Sequence, residues 1–299
     1  MSRALVLGGG GPVGIAWEAG LIAGLAEGGV DLAAADYILG TSAGSFVGSQ
    51  LAMGKKAGDM AAAILAEADR PRPIPTPKAD GEERPAPPNL SVLFQKMQEA
   101  ASGTRDPLEV RREIGQFALE AKTQDEDAFI RGFGRSLAET QADAWPKGRY
   151  ACTAVDAVSG KFVVWDNESK VGLAKAVASS CSVPGVFPPV TINGRRYIDG
   201  GMRSGTNADI AKGHELVVLI ALRTGGADPE QAERSKRALD TEIKALTDDG
   251  AKVELITPDE ASQAAFGANL MDGRVRPAAA KAGLAQGRAL AAALKGVWG

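Results

Sequence analysis

Apolar residues along this chain fall into short runs separated by stretches of helical spacing. Ala4-Leu5-Val6-Leu7 ends in the glycines Gly8 to Gly11, and Pro12 then opens a segment whose apolar positions, Ile15, Trp17, Leu21, Ile22 and Leu25, share one helical face. This predicts strand, glycine-rich turn, helix. The pattern returns at once: Tyr37-Ile38-Leu39 runs into Gly40-Thr41-Ser42-Ala43-Gly44, and a second helical stretch carries Phe46, Val47 and Leu51. Further on, Tyr150 to Val155 and Lys161 to Trp165 read as paired strands around Ser159-Gly160. Asn193-Gly194 marks a tight hairpin between Val190-Thr191-Ile192 and Tyr197-Ile198. Glu215 to Leu222 is apolar on both faces, as the interior of a sheet requires, and Lys252 to Ile256 is a later strand.

Helix starts are marked by a cap residue, a proline and an acidic residue in order. Asp106-Pro107-Leu108-Glu109, Asp228-Pro229-Glu230-Gln231 and Thr257-Pro258-Asp259-Glu260 all have this form. Between Pro71 and Pro88 the prolines are too dense for a regular helix or a central strand. After this loop, Leu90, Leu93, Phe94 and Met97 would share one face of a helix, packed on the core or, on a second reading, covering a site as a lid. The expected architecture is α/β: a central, mostly parallel sheet with helices on both faces. No internal repeat or linker divides it, so residues 1–299 are expected to form a single domain with a Pro-rich insertion at about 70–90.

Composition narrows the function more than the fold. The formal net charge of −3 supplies no general attraction for nucleic acid or an anionic membrane, so no nucleic-acid partner is expected. Two cysteines, Cys152 and Cys181, are too few for a disulfide framework and read as reduced. The first strand begins within a few residues of Met1, which leaves no room for a signal peptide, and the apolar run Val217 to Leu222 is far short of a membrane span. The expected location is cytoplasmic, with any membrane contact peripheral.

Candidate chemistry centres on Gly40-Thr41-Ser42-Ala43-Gly44. This is a G-x-S-x-G pattern in the strand-to-helix context that a nucleophile elbow demands, where small neighbours at Gly40 and Gly44 let the backbone turn sharply and leave Ser42 presented. A nucleophilic serine needs a base. The chain's one histidine, His214, sits at the mouth of a strand in an ordinary structural setting, so the base is expected to be a carboxylate. Asp199-Gly200-Gly201 follows the hairpin strand, and its two glycines permit close backbone approach at a strand end. Ser42, the Gly8 to Gly11 run and Asp199 all fall where reactive groups collect in parallel sheets.

Taken together, Gly9-Gly10-Gly11-Pro12-Val13-Gly14, the Ser42 elbow, Asp199-Gly200-Gly201 and the segment Ala178 to Pro189 resemble, in order and spacing, the patatin-like phospholipases. The resemblance implies a three-layer sandwich fold, a Ser42–Asp199 dyad, an oxyanion hole from the glycine run and a lipid or acyl-ester substrate, with no cofactor and no metal. Pro12 lacks an N–H, so the hole would use the amides of Gly9, Gly10 or Gly11, with Ala43 as a further contributor. Val13 stands where the family usually has a basic residue, and it cannot bind an anion.

Two rival readings use the same residues. Gly9-x-Gly11-x-x-Gly14 between strand and helix is also a dinucleotide-binding fingerprint, which then expects an acidic residue at the end of the second strand. Asp36 lies before that strand instead. The other rival is a protein that keeps the fold and binds an acyl chain or a partner without efficient turnover.

Overall fold

Strand β1 (Arg3–Leu7) runs through the middle of the sheet, where a segment buried on both faces belongs. It pairs in parallel with β2 (Tyr37–Gly40) on one side and β7 (Leu216–Ile220) on the other. β7 in turn pairs in parallel with β8 (Lys252–Ile256), and β2 with β3 (Tyr150–Asp156). The remaining strands, β4 (Phe162–Trp165), β5 (Val190–Ile192) and β6 (Arg195–Asp199), are antiparallel additions: β4 and β6 pair with β3, and β5 with β6. This computed structural model describes residues 1–69, 93, 95, 96, 99, 105–137, 143–146, 148–222 and 229–299.

The register of β3 places the site. β2 pairs with its first half, up to Gly40 opposite Cys152, and β6 with its second half, with Asp199 opposite Ala154. β4 pairs with Cys152 through Val155 and so overlaps both. A residue offers each strand edge only once, so β2 and β6 must succeed one another along the same edge of β3, opposite β4. The chain leaves that edge at Gly40 to form the Ser42 turn, and β6 takes over the place just vacated. Asp199 therefore arrives two residues beyond Gly40 along β3, or about 7 Å at the rise of a strand.

Helices cover both faces. α1 (Gly11–Glu27), α2 (Ala43–Ala52) and α3 (Ala57–Leu65) share one apolar cluster with the sheet face of Leu5, Leu7, Ile38, Cys152 and Tyr197. The opposite face is covered by α4 (Pro107–Glu120) through Val110, Ile114 and Ala118, and by α7 (Pro229–Asp248) through Leu239 and Leu246. Between these come α5 (Glu126–Leu137) and α6 (Leu173–Ser180), and at the C-terminus α8 (Glu260–Phe266) and α9 (Arg276–Trp298), all on the α1 side. Among the described residues, no helix is long and apolar enough to cross a membrane.

Most expected elements occur as read. Asp106 caps α4 by accepting from Leu108 N, and Asn193 and Gly194 both have positive φ in the β5–β6 hairpin, as a two-residue turn needs. α7 begins at Pro229, while its expected cap, Asp228, lies outside the described residues. One start is displaced. Asp259, not Thr257, caps α8, because its carboxylate reaches the Ser262 amide at 2.8 Å. The Pro71 to Pro88 loop and Leu90, Phe94 and Met97 lie outside the described residues; Leu93 is buried against Val110 and Ile114, which places it in the core.

Candidate active site

Ser42 adopts φ 52°, ψ −115°, a region that costs a non-glycine residue of order 1–3 kcal/mol and persists only where its surroundings hold it. The elbow's flanking glycines explain how the turn closes. A Cβ on Gly40 would stand 2.4 Å from Ser45 Cα, and one on Gly44 would stand 2.2 Å from Leu7 O, so α2 closes onto the end of β2 and lies directly against β1 only because these positions lack side chains. Ser42 is consequently delivered at the end of β2, and little of it is exposed.

Asp199 ends β6 beside it. Its Oδ1 accepts from Gly201 N at 2.7 Å, and a Cβ on Gly200 would collide with Thr153 Oγ1 at 2.2 Å, so the two glycines let the chain fold back around the carboxylate. Burial pushes the Asp199 carboxyl up to about 7, against smaller lowering effects of the Ser42 hydroxyl and the Gly201 amide. The Ser42 hydroxyl is thus close enough to be felt, yet Oδ2 makes no hydrogen bond of regular geometry. Catalytic hydrogen bonds are often loose before substrate arrives.

Residues 180–182, at the end of α6 and just beyond it, touch both partners. Ser42 N donates to Ser180 Oγ at 3.0 Å, and Cys181 Sγ donates to Ser42 O at 3.1 Å. Asp199 N donates to Ser182 O at 3.0 Å. The same Ser42 carbonyl accepts from Ser45 Oγ at 2.6 Å. Cys152 and Cys181 are both unpaired and buried, and burial pushes the thiol of each above its ordinary pKa.

In the glycine run the amides are not equivalent. Gly8 N donates to Ile220 O and Gly9 N to Gly205 O at 2.8 Å, so the Gly9 amide, one of the three expected donors, is already engaged. Val13 N is taken by Leu270 O at 3.2 Å. Among the described residues no hydrogen bond involves the amides of Gly10, Gly11 or Ala43, which leaves these three N–H groups around the N-termini of α1 and α2. A Cβ on Gly10 would lie 2.5 Å from Leu222 Cδ2, so this turn too has no room for a side chain.

Beneath the site lies a polar knot that motif reading did not single out. Asn207, buried and left-handed at φ 51°, donates to Thr41 Oγ1, Gly200 O and Ser204 O at 3.1, 3.2 and 2.8 Å. Thr41 and Thr153 share a 2.8 Å hydrogen bond, and Arg203 donates to Asn207 Oδ1. The knot ties the residue before Ser42 to the residue after Asp199. His214, in contrast, contacts Ala211 O and stacks on Tyr37 at the far end of the parallel strands. Asp36 accepts from Arg3 N at that same end, away from the glycine turn. Among the described residues no cluster of His, Cys, Asp and Glu could hold a metal ion.

Comparison with known proteins identifies the family. Residues 5–212 match the model of the Patatin family, described as patatin-like phospholipase. No curated protein matches. Among solved structures, the chain is similar to VipD from Legionella pneumophila at 15% identity and a TM-score of 0.46, covering 98% of this chain and 67% of that one. It is also similar to the type III effector protein ExoU at 14% identity and a TM-score of 0.39, covering 98% of this chain and 53% of that one, so it spans about half of ExoU's length. With the family model matched over more than half its length and the parallel sheet, glycine turn and serine elbow in place, the chain belongs to the patatin-like phospholipase family, whose members are generally lipid acyl hydrolases.

Proposed function

We propose that this protein hydrolyses carboxylic ester bonds of lipids, with Ser42 as nucleophile and Asp199 as general base. One observation carries the reading: a serine held at an unfavourable elbow conformation stands beside a fully buried carboxyl whose pKa has risen to about 7. A carboxylate of ordinary acidity is a weak base at neutral pH; one tuned near 7 combines ionisation with proton affinity.

The cycle then runs in two halves. Ser42 Oγ attacks the ester carbonyl while its proton passes to Asp199, and the oxyanion forms within reach of the free amides of Gly10, Gly11 and Ala43. Collapse breaks the bond to the leaving alcohol, which takes the proton from Asp199. Water attacks the acyl-enzyme and gives its proton to Asp199. The second tetrahedral intermediate releases the carboxylic acid and returns the proton to Ser42. Gly200 and Gly201 support Asp199 throughout by the close approach described above.

Ser42→Ala and Asp199→Asn should each abolish turnover of a short acyl ester with circular dichroism unchanged, and a fluorophosphonate should label the native chain but not Ser42→Ala. His214→Ala should keep most activity. An unlabelled native chain would favour the acyl-binding reading without turnover, and a large loss in His214→Ala would replace the carboxylate base.

A further inference from the structure

The segment Ala178 to Pro189 carries no chemistry in the cycle above, yet three successive residues in it are bonded to the backbone of the two reacting residues. We propose that Ser180-Cys181-Ser182 is a positioning clamp that sets the Ser42 elbow against Asp199, with the Cys181 thiol as its decisive donor. The proposal rests on the assignment of Ser42 and Asp199 made above.

The physical basis is strain. A residue at φ 52°, ψ −115° relaxes unless both its peptide groups are held; the Ser42 carbonyl accepts from Ser45 N and Phe46 N of its own helix, but these bonds move with α2, and among the described residues no backbone group holds the Ser42 amide. The amide before Ser42 is held by Ser180 Oγ, and the carbonyl after it takes side-chain hydrogen bonds from Cys181 Sγ and Ser45 Oγ. Ser45 belongs to the elbow helix itself and moves with it. Ser180 and Cys181 come from another element, and through them the elbow's peptide groups are tied to something outside.

That outside element is also tied to the base. Ser182 O holds the Asp199 amide, and Ser182 Oγ donates to Pro188 O at 2.6 Å, which closes the loop back toward β5. Ser42 and Asp199 are thus fixed to one short piece of backbone, independently of β3. A thiol serves as donor here only while it keeps its proton. The enclosure of Cys181, with the carboxyls of Asp199 and Glu18 nearby, keeps it protonated, so the residue acts as a hydrogen-bond donor and not as a nucleophile. Cys181 is a positioning residue, acting through Ser42.

Two measurements on the full chain test this. Hydrogen exchange reads the clamp without reference to activity: Ser180→Ala should speed exchange of the Ser42 amide at least ~10-fold while the amides of Val47 and Leu51 in the same helix stay protected. Unchanged exchange at Ser42 would overturn the clamp even in a chain that hydrolyses nothing, and accelerated exchange in an inactive chain would keep the clamp and defeat only the hydrolase reading. Steady-state kinetics on a short ester reads its consequence: Cys181→Ala should lower kcat by ~10- to 10²-fold with KM within about twofold, because misplacement by a fraction of an ångström penalises the reacting geometry. Cys181→Ser keeps a donor and should recover most of kcat. Equal losses in both variants, or a loss confined to KM, would make Cys181 mere packing and overturn its assignment.

Discussion

Among individual side chains, enclosure by protein sets the acid–base behaviour of Asp199. Its ordinary pKa of 3.8 becomes about 7, so between these values the unfolded chain ionises while the folded chain retains a proton. Folding stability from this group therefore falls as pH rises from about 4 to about 7 and is level beyond. Activity runs the opposite way. As the proposed base, Asp199 must be ionised, so kcat/KM on a soluble ester should climb through pH ~7 to a plateau. Asp199→Asn removes the titration and should raise stability at pH 8 by at most the order of 4 kcal/mol, with little change at pH 4, measured by urea unfolding. Equal stability of the two proteins at pH 8 would show that burial does not dominate this carboxyl. Ser42 and Asp199 are legible in the sequence because small residues flank them locally. Asn207 and Thr153 are not, since the bonds that join them to Thr41 and to each other span 54 to 166 positions; Ser180 lies in the segment Ala178 to Pro189, but its bond to Ser42 spans 138 positions and nothing local marks it.

Among the helices and strands of the described residues, the longest helix is the hardest to see in the sequence. α9 buries Ala279, Ala280, Gly283 and Gly287 in its first half, and a run of alanine and glycine shows no contrast of large apolar against polar positions. Its purpose is contact. A Cβ on Gly283 or Gly287 would stand 2.3 Å from Trp17 O or 2.2 Å from Leu21 O, and one on Gly20 or Gly24 would meet Ala280 O or Leu284 O just as closely. α1 and α9 therefore touch backbone to backbone, and Trp17 adds hydrogen bonds to Ser262 and Gln286 across the joint. Gly287→Val should force these helices apart and destabilise the protein by about 3 kcal/mol or more, read as a lower urea midpoint. A midpoint within error of the native one would mean the joint yields freely. Strands and the β5–β6 hairpin are legible because alternation and turn residues act locally. The start of α8 lies two residues later than its sequence implies because Thr257 and Asp259 both fit a cap, and only the fold decides which side chain meets the free amides.

Across the full chain, the family match ends at residue 212, yet the segments beyond it are integral to the fold. β7 occupies one edge of β1, α9 backs α1, and Leu270 O holds the Val13 amide beside the glycine turn. We propose that residues 1–299 form one domain. A chain ending at residue 212 should fail to fold, recovered insoluble or without a cooperative thermal transition; a soluble, cooperatively melting fragment would divide the molecule at that point.

The succession of β2 and β6 along one edge of β3 has a consequence for how such a protein can vary. Relative placement of Ser42 and Asp199 is written into pairing register, and register is indifferent to how many residues intervene between the paired segments. The number of residues between the end of α2 and the start of β3 can consequently change without moving Ser42 relative to Asp199, provided that α3, α4 and α5 keep their packing on the sheet. One strand edge thus keeps two distant parts of the chain in step, whatever the length of the excursion that separates them.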